Sequence, residues 1–330
     1  MDQRDRELLG ALQGEIPLVS TPYAVLGQQL DMSEKEVIKR TDRLRREGVV
    51  RNVAAQFDSR ALGYRSCLVA ARVSPSRVDE AAGVINAHPG VTQNYRRNND
   101  LNLWFTLFVS PQSKLGLEQT IDLLERAADC DFVRALPTLK LYKSASGEVD
   151  SHAEYTPLTP VETETVRLLQ RELPLQPRPF DVLARNAGIG ADELLSATRA
   201  LQKRGQIRRV CASVVQRKPG FVASAMGVWV VPQDAVDDYA TKLAQHRAVS
   251  HCYLRPVFED WPYNVYTTVH ARSVDECESV INDLAADTGL TQKQALFPTK
   301  EYKKARACFF TSEEEEWEDA HGAARAVAAV

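Results

Sequence analysis

The chain opens with apolar residues at helical spacing. Leu8, Leu9 and Leu12 form the first apolar stripe, and two further short helices are indicated before residue 50. Three helices with a short turn before the last are typical of a winged helix-turn-helix, and the apolar segment at 49–58 is predicted to supply its wing strands. The chain therefore begins with a small helical domain.

After this domain the apolar residues alternate with polar ones, as in strands that bury one face. Helical spacing interrupts the alternation twice, so the order is βαββαβ. That order is typical of a ferredoxin-like fold, an antiparallel four-stranded sheet with helices on one face and a bare face that needs a partner. The predicted strands are 65–73, 91–97, 102–109 and 132–142, and the predicted helices are 74–88 and 114–128.

The whole succession occurs twice. Pro22 and Gly48 return at one common offset as Pro179 and Gly205, and "VTQNYRR" (91–97) returns as "VSHCYLR" (249–255). The sequence therefore predicts an α+β fold built by tandem duplication of a winged helix-turn-helix and a ferredoxin-like domain. The two sheets are expected to pack open face to open face, as an intrachain pseudo-dimer with a shared cleft.

The predicted domain boundaries follow from this repeat. Residues 144–158 are polar with Gly, Pro and Ser, as in a linker, and the C-terminal run is acidic and then Ala-rich, as in a solvated tail or frayed helix. The segments are 1–60 and 159–217 (winged helix-turn-helix), 61–143 and 218–308 (ferredoxin-like), 144–158 (linker) and 309–330 (tail).

Composition narrows the class of protein. A hydrophobic share of 44%, a charged share of 26% and a formal net charge of −3 are typical of a globular protein without a global basic field. The sequence shows neither a signal peptide nor an apolar run long enough for a membrane span. The six cysteines form no CxxC pair, which favours free thiols in a reducing cytoplasm.

One pair of strands in each half carries polar and aromatic residues where a plain hairpin needs neither. Because side chains alternate, His251, Tyr253 and Arg255 are predicted to share one face. Gln93, Tyr95 and Arg97 are predicted to share the equivalent face in the first half. On the following strands the same argument groups Asn102, Trp104 and Thr106, with Leu103, Phe105 and Leu107 in the core, and groups Asn264, Tyr266 and Thr268.

These residue types suit a flat, anionic ligand. Arginine binds carboxylates through two parallel hydrogen bonds, aromatic rings supply stacking surfaces, and histidine transfers protons near neutral pH. The same face also suits the polar part of the pseudo-dimer interface, and the residues alone leave both interpretations open. A zinc site at His246, His251 and Cys252 is disfavoured, because the spacing matches no strong zinc pattern.

The architecture resembles the Lrp/AsnC transcription regulators, and the strand motifs resemble the siroheme decarboxylases, an enzymatic branch of that superfamily. In the family one subunit carries a pattern like "HNYxRxxxxNLWFT" and its partner one like "CYxRPxxxxDWPYN". This chain has "QNYRRNNDLNLWFT" (93–106) and "HCYLRPVFEDWPYN" (251–264), so it looks like a fusion of the two subunit types. It departs from the first pattern at Gln93, where histidine is usual.

The resemblance implies a carbon–carbon lyase that removes two acetate carboxyl groups from siroheme. The product, didecarboxysiroheme, would enter the synthesis of haem d₁ or of protoheme by the alternative route. The iron belongs to the substrate, and no separate cofactor is expected. The implied catalytic residues are His251, Tyr253, Arg255, Tyr95 and Arg97. The implied substrate-binding residues are Gln93, Arg96, Asn102, Trp104, Trp261, Asn264 and Tyr266.

Several alternatives stay open. His251 is either the proton donor or an axial ligand of the siroheme iron. A DNA-binding regulator is the rival function, because the first helix-turn-helix is basic, and a non-catalytic tetrapyrrole-binding protein is the third. Four lysines on the last strands are candidates for binding propionates or for solubility alone: Lys140, Lys143, Lys300 and Lys303. The expected partners are siroheme and didecarboxysiroheme. A homodimer of the fused chain and secondary DNA binding are further alternatives that stay open.

Overall fold

The computed structural model describes residues 1–144, 155–214 and 223–322. The helices are α1 Gln3–Gln13, α2 Pro22–Gln29, α3 Glu34–Arg46, α4 Val78–Asn86, α5 Gly116–Ala127, α6 Pro160–Leu169, α7 Pro179–Ala187, α8 Ala191–Lys203, α9 Val236–Gln245, α10 Val274–Thr288 and α11 Ser312–Gly322. The strands are β1 Val50–Phe57, β2 Arg65–Arg72, β3 Val91–Arg97, β4 Leu103–Val109, β5 Phe132–Leu136, β6 Lys140–Lys143, β7 Ile207–Val214, β8 Ala223–Trp229, β9 Val249–Leu254, β10 Val265–Ala271, β11 Lys293–Leu296 and β12 Pro298–Lys304.

These elements form two compact units, each drawn from both halves of the sequence. The helix-turn-helix unit comprises the described residues of 1–64, 155–214 and 308–311, and the sheet unit comprises those of 65–144, 223–307 and 312–322. Most of the predicted linker, residues 145–154, lies outside the described residues. No helix in the described part of the chain is long and apolar enough to cross a membrane.

In the helix-turn-helix unit the two copies share one small sheet. Each copy supplies a single strand, and β1 pairs antiparallel with β7 so that Ala54 lies opposite Cys211. The predicted wing is therefore not a hairpin within the first copy. A lone strand leaves its backbone groups unpaired, and the second copy satisfies them.

The basic residues of α3 are paired with acidic residues of the same unit. Arg40 contacts Asp2 and Asp5 at 2.8 Å, and Arg43 also contacts Asp5, whose side chain is buried. Arg45 contacts Glu172, a residue of the second copy, at 2.8 Å. Much of the positive charge that favoured DNA binding is therefore neutralised within the protein.

The sheet unit contains two five-stranded sheets. Their orders are β12-β3-β4-β2-β5 and β11-β8-β10-β9-β6. Four strands of each sheet have the ferredoxin-like order, so the predicted fold class is confirmed. The fifth strand of each sheet comes from the other half of the chain, since β12 pairs with β3 and β6 pairs with β9.

This exchange divides the last predicted strand, 132–142. Pro137 lacks a backbone N–H and interrupts the ladder, so β5 stays in its own sheet and β6 joins the opposite one. Side chains of the exchanged strands hold the opposite half: Tyr142 donates to Asp237, and Lys143 donates to the carbonyl of Ala244 at 2.6 Å.

The second exchanged strand makes equivalent contacts. Tyr302 donates to Asp79 at the start of α4, and Lys303 donates to the carbonyl of Asn86 at its end, 2.9 Å away. The other two candidate lysines pair with the two aspartates: Lys140 with Asp237 and Lys300 with Asp79. In this structure the four lysines bind helices of the opposite half, which disfavours the propionate role.

Three apolar clusters hold the sheet unit together. One joins the first sheet to α4 and α5, and a second joins the other sheet to α9 and α10. The third lies between the two bare faces and includes Trp104, Leu136, Trp261, Tyr266 and Leu296. The predicted packing of open face on open face is therefore present.

Of the two alternatives predicted for the C-terminal run, the helix is present as α11, and the solvated tail is wrong as far as residue 322. Phe309 and Phe310 are buried in the helix-turn-helix unit, and α11 buries Trp317 and Glu318 in the sheet unit. The ring of Trp317 packs edge-on against His88, with 4.4 Å between ring centroids. Apolar burial outweighs the acidic composition of this segment, and residues 323–330 lie outside the described residues.

Candidate active site

The second half brings its predicted catalytic residues together on one strand face. The rings of His251 and Tyr253 are nearly parallel, with 5.9 Å between their centroids and 11° between their planes. The guanidinium carbon of Arg255 lies 4.9 Å from the Tyr253 ring and 5.4 Å from the Tyr266 ring. We call His251, Tyr253, the neighbouring Thr268 of β10 and Leu141 of β6 the histidine face; all four are partly exposed.

His251 is oriented by its neighbour on the strand. Its Nδ1 lies 2.9 Å from the Ser250 hydroxyl, which itself reaches the carbonyl of Thr268 at 3.3 Å. If Ser250 donates to that carbonyl, it accepts from Nδ1, and Nε2 is the nitrogen left to exchange a proton or bind iron. Burial, and then the charge of His270, lower the pKa of His251 below its usual value.

The first half has an equivalent face with different chemistry. We call Gln93, Tyr95, Thr106 and Glu301 the glutamine face, because Gln93 pairs with Thr106 and Tyr95 pairs with Glu301 of the exchanged strand β12. Gln93 is exposed, whereas Tyr95 is half-buried. The guanidinium carbon of Arg97 lies 5.8 Å from the Tyr95 ring, next to this face.

The two arginines are related by the internal repeat. Arg97 donates to the carbonyl of Leu296 at 2.9 Å, and Arg255 donates to the carbonyl of Leu136, so each reaches across to the opposite sheet. Desolvation lowers the pKa of Arg97 to about 10 and also lowers the pKa of Arg255, so burial disfavours both charges. Neither Nε has a hydrogen-bond partner among the described residues, and neither arginine has an acidic partner there.

The large aromatic residues are more buried than predicted. Trp104 and Tyr266 are 1% and 2% exposed, and the Trp261 indole donates to the Tyr266 hydroxyl at 2.7 Å. They lie on the predicted face, but at the point where the two sheets meet, so they pack between the sheets. In this structure they lie beneath the partly exposed residues of the site, and their rings are not accessible for a ligand to stack on.

Three predicted substrate-binding residues have structural partners. The Asn102 side chain bonds both the N–H and the carbonyl of Val73, and Asn264 does the same with Val231, at distances of 2.7–3.1 Å. Their polar groups are thus used in holding neighbouring chain segments. Arg96 lies on the opposite side of β3 from Arg97, near Asp79 and Tyr302, because side chains alternate along a strand.

Four residues that contact or adjoin the candidate site could not be identified from the sequence one residue at a time. The carbonyls of Leu136 and Leu296 receive the arginines, and Leu141 and Glu301 lie beside the two tyrosines. The only sequence signal for the latter pair was the repeated "KLYK" and "KEYK". Among the described residues no group of His, Cys, Asp and Glu could hold a metal ion, which includes the region of His246, His251 and Cys252.

Comparisons with known proteins agree with this architecture. The AsnC-like ligand binding domain matches residues 61–143 and 218–303, and the siroheme decarboxylase NirDL-like HTH domain matches residues 5–51 and 162–208. The chain is therefore a fused, duplicated protein with two AsnC-like ligand-binding domains and two helix-turn-helix domains.

Full-length relatives define the family. A siroheme decarboxylase from Hydrogenobacter thermophilus is 36% identical over 322 residues, which cover 94% of this chain and 96% of that protein. The crystal structure of the siroheme decarboxylase NirDL superposes with a TM-score of 0.86 at 34% identity, covering 98% of this chain and 99% of that one. A second structure of NirDL, with the same score and coverage, is a complex with an iron-uroporphyrin III analogue. This chain belongs to the siroheme decarboxylase family and is a carboxy-lyase.

Proposed function

We propose that the chain removes two acetate carboxyl groups from siroheme, giving 12,18-didecarboxysiroheme, and that the histidine face carries the chemistry. The observation that supports this most directly is that Arg255, buried beside Tyr253, and Arg97, partly buried beside Tyr95, have no acidic partner among the described residues. A desolvated charge without a counter-ion is costly, so both arginines are suited to bind carboxylates supplied by a ligand.

Each decarboxylation exchanges one carboxylate for one proton. The carbon–carbon bond breaks, carbon dioxide leaves, and the electron pair remains on the acetate methylene until a proton arrives, so that the acetate becomes a methyl group. The conjugated macrocycle can delocalise this electron pair, and no further cofactor is needed. A partly desolvated site favours the loss of the carboxylate charge.

His251 is the proposed proton donor, through Nε2. Its lowered pKa makes the imidazolium a stronger acid, and the carboxylates of a bound substrate would favour its protonation. Tyr253 would position the acetate. The alternative role, an axial ligand of the siroheme iron, uses the same nitrogen and is separated from proton transfer by the spectrum of the bound substrate.

The pathway and compartment are part of this proposal. The fused architecture shared with NirDL supports a place in the synthesis of haem d₁. We also place the chain in the cytoplasm, because its six scattered cysteines form no CxxC pair and suit a reducing compartment.

The proposal is tested by mixing the purified chain alone with siroheme under anaerobic conditions and separating the tetrapyrroles by chromatography. A mono-decarboxylated species followed by the didecarboxylated product is expected. Unchanged siroheme that nevertheless co-purifies with the protein would instead identify a non-catalytic tetrapyrrole-binding protein.

The ion pairs of α3 disfavour the rival function, a DNA-binding regulator. Replacing Lys39, Arg40 and Arg43 with Gln is expected to leave decarboxylation within about two-fold of wild type. The same variant should unfold several degrees lower, because Asp5 loses both of its arginine partners. Lys39→Gln alone controls for the loss of charge. A collapse of turnover in the folded triple variant would show that α3 serves the reaction.

A further inference from the structure

The two exchanged strands differ at one informative position. Their sequences are "KLYK" at 140–143 and "KEYK" at 300–303, and the flanking Lys and Tyr residues make equivalent contacts with the opposite half. Only the second residue differs, Leu141 in one strand and Glu301 in the other. It is also the residue that pairs with the tyrosine of each candidate face.

The pairing places these two side chains beside the proposed substrate site. Leu141 lies directly opposite Tyr253, and Glu301 lies directly opposite Tyr95. Directly opposite residues of antiparallel strands have Cβ atoms about 4.5–5.5 Å apart on the same side of the sheet. Each therefore adjoins the surface that a ligand held by that tyrosine would cover.

Glu301 changes the chemistry of the glutamine face. After burial, its charge and a hydrogen-bonding interaction are what raise the pKa of Tyr95. Because Glu301 lies directly opposite Tyr95, a substrate acetate approaching the Tyr95 hydroxyl would meet a like charge. Two cations lie nearby, Arg97 beside the Tyr95 ring and Lys304 opposite Gln93, but Glu301 is the residue directly opposite Tyr95, so its effect is local to Tyr95.

We infer that the residue at this strand position determines which face accepts the tetrapyrrole: Leu141 admits it to the histidine face, and Glu301 excludes it from the glutamine face. The inference rests on the proposed function and assigns specificity to two residues outside the strand motifs. One tetrapyrrole per chain is the expected stoichiometry, even though the fold is duplicated.

The test is an anaerobic titration with iron-uroporphyrin III, followed by its visible absorbance, which reads binding without turnover. Wild type should saturate at one equivalent per chain. Leu141→Glu should weaken binding at least about tenfold, whereas Leu141→Met, which stays apolar, should bind like wild type. Glu301→Leu should raise the stoichiometry to two, and Glu301→Asp should leave it at one. Circular dichroism confirms that each variant is folded.

The inference is overturned if wild type binds two equivalents, if folded Leu141→Glu binds like wild type, or if Glu301→Leu stays at one. Those results leave the proposed function intact when wild type still decarboxylates siroheme in a parallel assay. Wild type that binds iron-uroporphyrin III as expected but never converts siroheme overturns the proposed function and not the specificity assignment. Wild type that binds no iron-uroporphyrin III overturns the specificity assignment, and it overturns the proposed function as well if siroheme is also left unconverted.

Discussion

His251→Ala is expected to lower the rate of siroheme decarboxylation by roughly 10²–10⁴-fold, the usual cost of losing a general acid or base. His251 occupies the position in the histidine face that Gln93 occupies in the glutamine face. Its ring stacks on Tyr253, and its Nε2 is the nitrogen left for proton exchange. Gln93→Ala, the matched variant in the first half, should cost much less, because an amide does not donate and recover a proton near neutral pH. Single-turnover kinetics under anaerobic conditions measure both effects.

The pH dependence and the spectrum separate the two roles of His251. Because burial lowers the pKa of this histidine, kcat/KM should increase as the pH falls through a midpoint below 6.5, and His251→Ala should lose that dependence. An iron ligand predicts instead a changed visible spectrum of siroheme bound to His251→Ala. If His251→Ala keeps the wild-type rate, both roles are wrong, and the proton donor moves to Tyr95 or Tyr253.

Arg255→Ala is expected to weaken siroheme binding by roughly 10–100-fold. A hydrogen bond to a charged group contributes about 1.5–3 kcal/mol, and the guanidinium lies buried beside Tyr253 with Nε unpaired. Titration of the Soret band measures the affinity. Because Arg255 also bonds the carbonyl of Leu136, its removal should lower the stability as well.

Arg97→Ala is the matched control for that loss of stability, since it removes an equivalent bond to Leu296 next to the glutamine face. We expect it to weaken binding less than Arg255→Ala. Normal affinity in both folded variants would contradict the carboxylate-binding role of these arginines.

The faces of the strands could be predicted from the sequence, because side chains alternate strictly along a strand. Leu103, Phe105 and Leu107 pack under the helices as expected, and Trp104 points to the other sheet. How deeply Trp104 and Tyr266 lie could not be predicted, because it depends on how far two sheets from distant segments overlap. The pattern of residues along one strand carries no information about that overlap.

The exchange of β6 and β12 between the two sheets also could not be predicted from the sequence. Residues 132–142 continue the strand pattern across Pro137, and nothing local states which sheet each part joins. Asn102 and Asn264 illustrate the same limit. A polar residue beside a site looks like a ligand contact until a buried backbone segment is found to use its hydrogen bonds.

This chain is expected to replace two siroheme carboxylates with protons. Mass spectrometry of the product formed anaerobically from siroheme by the purified chain in deuterated water measures this exchange. We expect a product that has lost two carbon dioxide molecules and gained one solvent deuterium at each new methyl group. Siroheme of unchanged mass, recovered from folded protein that binds it, would show that the chain does not catalyse the exchange.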